Sequence, residues 1–334
     1  PKQADTLALD MSYTYASLTF ANLESSWKEL QHRLNWSSVF LLPLWLKVWS
    51  QSFGEGSQPY LFEVRENRNI IGIAPLLLKG SKASFIGSAD VCDYMDFIVT
   101  PGKERAFFTA VLDKLNQEEI KELFLESLRH DSMVMTSLVD LAKDKKLDIT
   151  VTRENVSLDL DLPSDWDEYL RTLSPKQRRE TGRRFRRLDE EGDINYRIVD
   201  DANPEVLNIF FQLMRVSRKD KAAFLTPEME SFFRSLAQTM AEAGMLRFGI
   251  LEISKKPVAA VMCFDYNDKV YLYNSGYDPE YSILSVGVLS KLLSIKDSIE
   301  RGKKVYDFLK GPEEYKYRLG GREIQIYSCR ITLT

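Results

Sequence analysis

The chain has 334 residues, 44% hydrophobic and 28% charged, with a formal net charge of −4. That is the balance of a globular protein large enough for two domains of ordinary size. Such a charge excludes a protein whose main task is to coat nucleic acid, so no DNA partner is expected. Three scattered cysteines (Cys92, Cys263, Cys329) and two histidines (His32, His130) argue against a disulfide framework, a zinc site and a Ser-His-Asp triad.

No apolar run approaches the roughly 20 residues that span a bilayer, so no transmembrane segment is expected. The most apolar stretch, "SVFLLPLWLKVW", is interrupted by Pro43 and Lys47. With no signal peptide recognised, the expected location is the cytoplasm, or the inner membrane surface.

In chain order, "SSWKELQHRL" and "PLWLKVWSQSF" read as helices. "PYLFEVREN" and "NIIGIAPLLLKG" then alternate like two strands of a hairpin turning near Asn67. "ASFIGSADVCDYMDFIVT" follows as strand and loop, then a helix from about Pro101 to Gln117 and a strand "ELFLESL". After three amphipathic stretches between Trp166 and Glu242 the same order returns. "MLRFGILEIS" and "PVAAVMCFDYN" form a hairpin turning near Ser254, and "KVYLYNSGYDP" is a strand. A helix runs from about Ser285 to Arg301, and "KKVYDFL" is the last strand of the set. The two hairpin turns lie about 190 residues apart, the spacing of a duplicated domain rather than of a solenoid. The fold expected is α/β (α+β), two tandem domains at 1–162 and 163–334, each a mostly antiparallel sheet flanked by helices. The boundary is placed at 161–164, where "DLPSDW" supplies a Pro and an N-cap. Leu213, Val216, Phe224, Phe232, Phe233, Leu236 and Met240, with Trp45, Trp49 and Phe53, are read as core-facing.

Charge is uneven: residues 1–162 hold 17 of the 45 cations and 23 of the 49 anions, so the second half is net positive. Much of that excess sits in "SPKQRRETGRRFRRL", where Ser174 and Pro175 read as N-cap and first helical position. Thr181, Phe185 and Leu188 share one face; Lys176, Arg179, Arg183, Arg186 and Arg187 gather within about 100° on the opposite side. Arg179–Arg183 and Arg183–Arg187 are repulsive i,i+4 pairs, so the cluster reads as an anion-binding face rather than a merely solvated one.

Three segments carry candidate chemistry. "YDFLKGPEEYKYRLGG" places Asp307, Lys310, Gly311, Glu314, Tyr315, Lys316 and Arg318 just past a strand's carboxyl end, where binding crevices form. "SADVCDYMDFIVTPG" holds Asp93 and Asp96, either a base or an amine-binding pair, or a bulge with a cap. "GYDPEYSILSVGVLSKLL" leads a polar loop into a helix at Ser285, with Gly287 in its first turn. That arrangement suits a pyrophosphate, although a plain N-cap has the same spacing.

Taken together, "LLPLWLKVWSQSFG", "DYMDFIVTPG", "SPKQRRETGRRFRRL", "SGYDPEYSILSVGVL" and "YDFLKGPEEYKYRLGG" resemble, in this order, the CelD-like acyltransferases of the GNAT superfamily. These are relatives of the Fem-type peptidoglycan aminoacyl transferases. The resemblance implies two GNAT-like domains and transfer of an acyl group from acyl-CoA to an amine of a sugar, peptide or cell-envelope precursor. By the same likeness a Fem-like enzyme would use aminoacyl-tRNA instead, and a catalytically silent binding protein could share the fold. The family's cofactor positions fall on Tyr273, Asn274 and Ser275 in one strand and on Ser285, Val286, Gly287 and Val288 at the helix start. Tyr315 corresponds to the acid near the thiolate and Lys316 to an acceptor or phosphate contact. Asp93 and Asp96 would meet the acceptor amine, and Arg179 and Arg183 an anionic substrate. The family's phosphate loop, [RQ]-x-x-G-x-[GA], is altered here: Ser282 and Ser285 stand at the Arg/Gln and first Gly positions.

Overall fold

The structure, a computed structural model, describes residues 13–333. Two compact units divide the chain, one of Pro1–Thr152 with Tyr327–Thr334, the other of Arg153–Ile326.

The first unit contains β1 (Tyr13–Ser17), α1 (Phe20–Leu30), α2 (Pro43–Phe53), β2 (Gln58–Glu66), β3 (Asn69–Lys79), β4 (Lys82–Phe85), β5 (Ile98–Val99), α3 (Glu104–Gln117), β6 (Glu122–Arg129) and α4 (Val139–Asp144). Its strands run in the order β1-β2-β3-β4-β6, antiparallel except for the β4–β6 pair. Pro43, which breaks the apolar run in the sequence, is the first residue of α2; its missing N–H costs nothing there, and Trp45 and Trp49 behind it are buried. The β2–β3 turn has Asn67 and Arg68 at φ +49° and +71°, the two left-handed residues of a type I′ turn.

The second unit begins within β7 (Asp148–Asp161) and continues through α5 (Trp166–Thr172), α6 (Pro175–Asp189), β8 (Ile194–Val199), α7 (Pro204–Ser217), α8 (Lys219–Phe224), α9 (Pro227–Glu242), β9 (Leu246–Ile253), β10 (Lys256–Tyr266), β11 (Lys269–Tyr277), α10 (Val286–Glu300), β12 (Val305–Lys310) and α11 (Glu314–Arg318), and ends within β13 (Arg322–Thr332). Its strand order is β7-β12-β11-β10-β9-β8. The unit starts before 161–164 because β7 pairs with β12, from Asp161 opposite Val305 to Ser157 opposite Lys310. The three amphipathic stretches are five helices with β8 among them, and Val216 is 48% exposed rather than core-facing.

The repeat seen in the sequence is a repeat in space. Ser254 and Lys255 turn the β9–β10 hairpin at φ +49° and +65°, matching Asn67 and Arg68. In both units the strand after the hairpin leads through a helix to a parallel neighbour, β4 to β6 and β11 to β12.

β11 and β12 pair only from Lys269 to Tyr271, although β11 continues to Tyr277, so the strands part along their carboxyl ends. A bulge bends β11 where this begins: Cys263 faces Leu272 and Met262 faces Asn274, leaving Tyr273 as an extra residue. On the other side β12 is irregular between Asp307 and Lys310, with Leu309 at φ +61°. A Cβ on Gly276 would lie 2.4 Å from the backbone of Leu213 and Met214, so only glycine lets α7 rest directly on β11.

In the first unit the corresponding opening is closed by its own chain. β4 ends at Phe85, and the loop that follows it buries Val91, Cys92, Tyr94, Met95 and Phe97. The Met95 N–H bonds to the Ser127 carbonyl of β6 (3.0 Å), beyond the residues that pair with β4.

Candidate active site

Where β11 and β12 part, a cavity of about 370 Å³ opens within the second unit. Its lining comes from the α7–α8 junction (Ser217, Arg218, Lys221), from β11 (Ser275, Tyr277), from the loop and first turns of α10 (Ser282, Ser285, Val286, Gly287, Val288, Lys291) and from Glu313 and Tyr315. Of the expected cofactor residues it brings together Ser275, Ser285, Val286, Gly287 and Val288, and of the expected catalytic residues Tyr315.

At the start of α10, Ser285 sits at φ +60° and its side chain makes no capping bond. The Val288 and Leu289 N–H groups both turn back to the Ser285 carbonyl (2.9 and 3.0 Å). The Val286 and Gly287 N–H groups make no such bond and, at a helix start, favour an anion. A Cβ on Gly287 would meet the Tyr277 ring at 2.9 Å, so the backbone is approached closely here. Three cations face the same space. Arg218 is held by Asp220 (2.7 and 2.9 Å). Lys221 donates to Asn274 Oδ1 (2.9 Å) and to the Ser275 carbonyl; burial, and then the charge of Arg218, push its pKa down to about 8. Lys291 donates to the Gly287 carbonyl (2.8 Å), and burial followed by the charge of Lys221 pushes its pKa down to about 7. Burial raises the Tyr315 phenol well above its ordinary range, with Glu313 adding to it, so the hydroxyl keeps its proton at neutral pH.

The other expected residues have different surroundings. Lys316 is 2% exposed, and its Nζ meets the carbonyls of Leu309 (2.9 Å), Lys310 (2.6 Å) and Gly311 (3.0 Å) and the Glu313 carboxylate (2.8 Å). With three hydrogens and four acceptors it has no donor to spare for a phosphate, and it clips together the chain leaving β12. Gly311 makes that turn at φ +107°, and its N–H bonds to the Val156 carbonyl (2.8 Å). Asp307 is fully buried and accepts from the Leu309 N–H (2.8 Å), which holds the irregular end of β12. Lys310 continues the β12–β7 ladder opposite Ser157. Glu314 and Arg318 pair with each other on the exposed side of α11. The Tyr273 ring packs between Phe233 and Phe264 (5.4 and 5.1 Å), so its side chain belongs to the core, while Asn274 positions Lys221.

Asp96, in the first unit, is a structural carboxylate. It is 7% exposed and accepts from the N–H groups of Phe97 (2.9 Å), Met133 (2.7 Å) and Val134 (3.3 Å). Burial outweighs these bonds and lifts its pKa to about 7. Asp93 lies half-buried in the same loop, outside any strand.

The basic helix has the faces read from the sequence. Ser174 and Gln177 form a capping box (3.3 and 3.1 Å), Thr181 and Leu188 are buried, and Phe185 meets Trp166 edge-on at 6.1 Å. Lys176, Arg179, Arg183, Arg186 and Arg187 are exposed and form no ion pair among the described residues. α6 packs against the turn at Pro279–Leu284, whose Ser282 lines the cavity.

Sequence reasoning missed Ser217, Arg218, Lys221, Tyr277 and Lys291 as cavity residues. One signal was present for Lys291: with Ser294 and Ser298 it forms a polar stripe at helical spacing along an otherwise apolar helix.

The antiparallel hairpin, the bulged strand parting from its parallel neighbour and the helix start between them define a GNAT fold, built twice in tandem. Residues 175–317 match the model of the acetyltransferase (GNAT) domain. Among solved structures the chain is similar to FemX (TM-score 0.65, 12% identity, covering 95% of this chain and 96% of that one). It is also similar to a conserved protein of unknown function from Bacteroides thetaiotaomicron (0.60, 14%, 96% and 100%). A third is a tandem GNAT protein from the clavulanic acid biosynthesis pathway (0.52, 10%, 96% and 98%). At these identities the likeness is one of fold. No curated protein matches the sequence significantly.

Proposed function

We propose that the protein is an N-acyltransferase that moves an acyl group from acyl-CoA to an amine of a sugar, peptide or cell-envelope precursor. The observation that carries this reading is the cationic cavity in the β11–β12 opening, with free helix N–H groups on one side and a protonated phenol on another. The residues present fit such a donor: Val286 and Gly287 would hold its phosphates, flanked by Ser285 and Val288, with Arg218 and Lys221 supplying charge. Ser275, on the parted edge of β11, lies along the same wall. When bound, acyl-CoA supplies a thioester carbonyl. The chain's own part is to exclude water and to present the Tyr315 hydroxyl as proton donor to the leaving sulfur. Glu313 faces the cavity but is tied to Lys316 at 2.8 Å, which weakens it as a base. Calorimetry with acetyl-CoA at moderate salt tests the reading. Micromolar binding is expected, and its absence would remove acyl-CoA as donor.

The exposed Arg face of α6, beside the turn that lines the cavity, favours a second reading, a Fem-like transferase taking aminoacyl-tRNA. Ser282 in place of the family's Arg or Gln points the same way. Salt-sensitive tRNA binding without acetyl-CoA binding would select it, and failure of both ligands would leave a silent binding protein. Either transferase would work in the cytoplasm or at the inner membrane surface; among the described residues no helix is long and apolar enough to cross a membrane.

A further inference from the structure

Lys291 differs from the other buried lysine near the site. Lys316 has a carboxylate and three carbonyls around its amine; among the described residues Lys291 has one hydrogen bond, to a Gly287 carbonyl that also accepts from Ser290 Oγ (3.1 Å). Among the described residues no carboxylate comes within 4.0 Å of its Nζ. The amine lies 4.9 Å from the centre of the Tyr315 ring, beside the group assigned to protonate the leaving sulfur. A buried ammonium without a counter-ion is costly, so the site favours the neutral amine, and burial with the Lys221 charge brings the pKa to about 7. At pH 7 its free-amine fraction then exceeds that of an ordinary lysine on the order of a thousandfold.

We propose that the Lys291 amine is itself an acyl acceptor, an N-acylation site that takes its acyl group from an activated ester of the thioester class held in this cavity. The proposal rests on the acyl-donor reading above. The Nζ lone pair attacks the carbonyl carbon, the N–C bond forms and the C–S bond breaks with its electron pair leaving on sulfur. The surplus proton on nitrogen passes to the thiolate by way of the Tyr315 hydroxyl. One Nζ-acyl-lysine and one thiol result, with no oxidant or further reactant. The product is an amide and does not turn over. It removes an amine that a bound anion would protonate and fills part of the cavity's volume, so the modified chain should bind a fresh donor more weakly. The groups facing Lys291 set its pH response. Lys221 on α8 and Lys316 on α11 lower its proton affinity and Glu313 raises it, while Cys263 on β10 is kept a neutral thiol by burial and adds no charge at neutral pH. Arg218, Tyr277 and the Tyr315 phenol share the cavity. Acylation should therefore rise between pH 6 and pH 8 and then level, whereas an exposed lysine gains reactivity up to about pH 10.

The test treats the full chain with acetyl-CoA and, separately, with p-nitrophenyl acetate, which needs no CoA site, followed by intact mass and peptide mapping. One acetyl increment at Lys291 is expected, formed at pH 7 on the order of tenfold faster than at any exposed lysine, because lower intrinsic nucleophilicity offsets much of the free-amine advantage. Labelling by p-nitrophenyl acetate without acetyl-CoA binding would keep the acyl-accepting amine and overturn only the donor reading. Acetyl-CoA bound in the calorimeter with Lys291 unlabelled by either reagent would overturn the proposal and leave the donor reading standing. Lys291→Arg keeps the cation and should lose the increment; an increment that persists unchanged also sinks it.

Discussion

Replacing Lys316 with Met separates a structural lysine from a catalytic one. Methionine keeps most of the apolar stem but leaves the carbonyls of Leu309, Lys310 and Gly311 without their common donor and Glu313 without its partner. The bond to Leu309 is buried and should contribute about 1.5 kcal/mol; the other two, partly exposed, about 1 kcal/mol each. The Glu313 pair adds at most about 1 kcal/mol, because that carboxylate is 43% exposed. Relief from burying the ammonium returns roughly 1 kcal/mol, so a net loss of about 3 kcal/mol is expected. In urea unfolding, at a slope of about 3 kcal/mol per molar, the midpoint of the second unit should fall by about 1 M. Glu313→Gln, which removes only the ion pair, should move it by less than about 0.3 M. A Lys316→Met chain as stable as the wild type but unable to bind donor or turn over would refute the clip and restore Lys316 to the chemistry.

Asp96→Asn puts an amide among three backbone donors and should cost about 1–3 kcal/mol. The Asp96 pKa is raised on folding from 3.8 to about 7, so its contribution to stability grows as pH falls through 7 and is complete below 3.8. The gap between wild type and Asp96→Asn, read by urea midpoints, should therefore widen from pH 8 to pH 5; a constant gap would contradict this. Ser285→Gly relieves a left-handed residue whose side chain makes no cap bond, and should gain up to about 1 kcal/mol in thermal unfolding without weakening acetyl-CoA binding. Reversing Arg179, Arg183 and Arg186 to Glu should leave the unfolding midpoint within about 0.5 kcal/mol of wild type, since these side chains are exposed and form no ion pair among the described residues. It should raise the KM for the true substrate, and an unchanged KM would make the face merely solvated.

The tandem architecture was legible because hairpins carry local signals. Alternating apolar residues flank Asn67 and Ser254, and both turns take the left-handed geometry that short polar turns adopt. The start of α10 was legible for a similar reason, as a polar loop followed by small residues and an apolar helix. What sequence could not show was the register: the bulge at Tyr273 turns that side chain into the core and leaves Ser275 on the parted edge. Nor could it separate the two strand-to-helix loops. Asp96 read as chemistry because aspartate is uncommon in strands, and Lys316 because of the family resemblance. Yet Asp96 satisfies the N–H groups of Phe97, Met133 and Val134, and Lys316 the carbonyls of the chain leaving β12, where Leu309 sits at φ +61°.

Three lysines of the second unit show why residue type alone could not assign the site. Lys316 has acceptors on every side, so its charge is spent on holding the chain and an incoming anion would gain little from it. Lys221 is fixed by two acceptors on β11 and lines the cavity, so its third N–H is available for a contact to a bound anion. Lys291 has one acceptor and the charge of Lys221 nearby, so an anion entering the cavity would raise the proton affinity of both. A bound polyphosphate therefore lowers the free-amine fraction of Lys291 without abolishing it, and holding the thioester carbonyl beside the amine offsets that loss. At pH 7 an ester without phosphates should accordingly label Lys291 at least as readily as acetyl-CoA does.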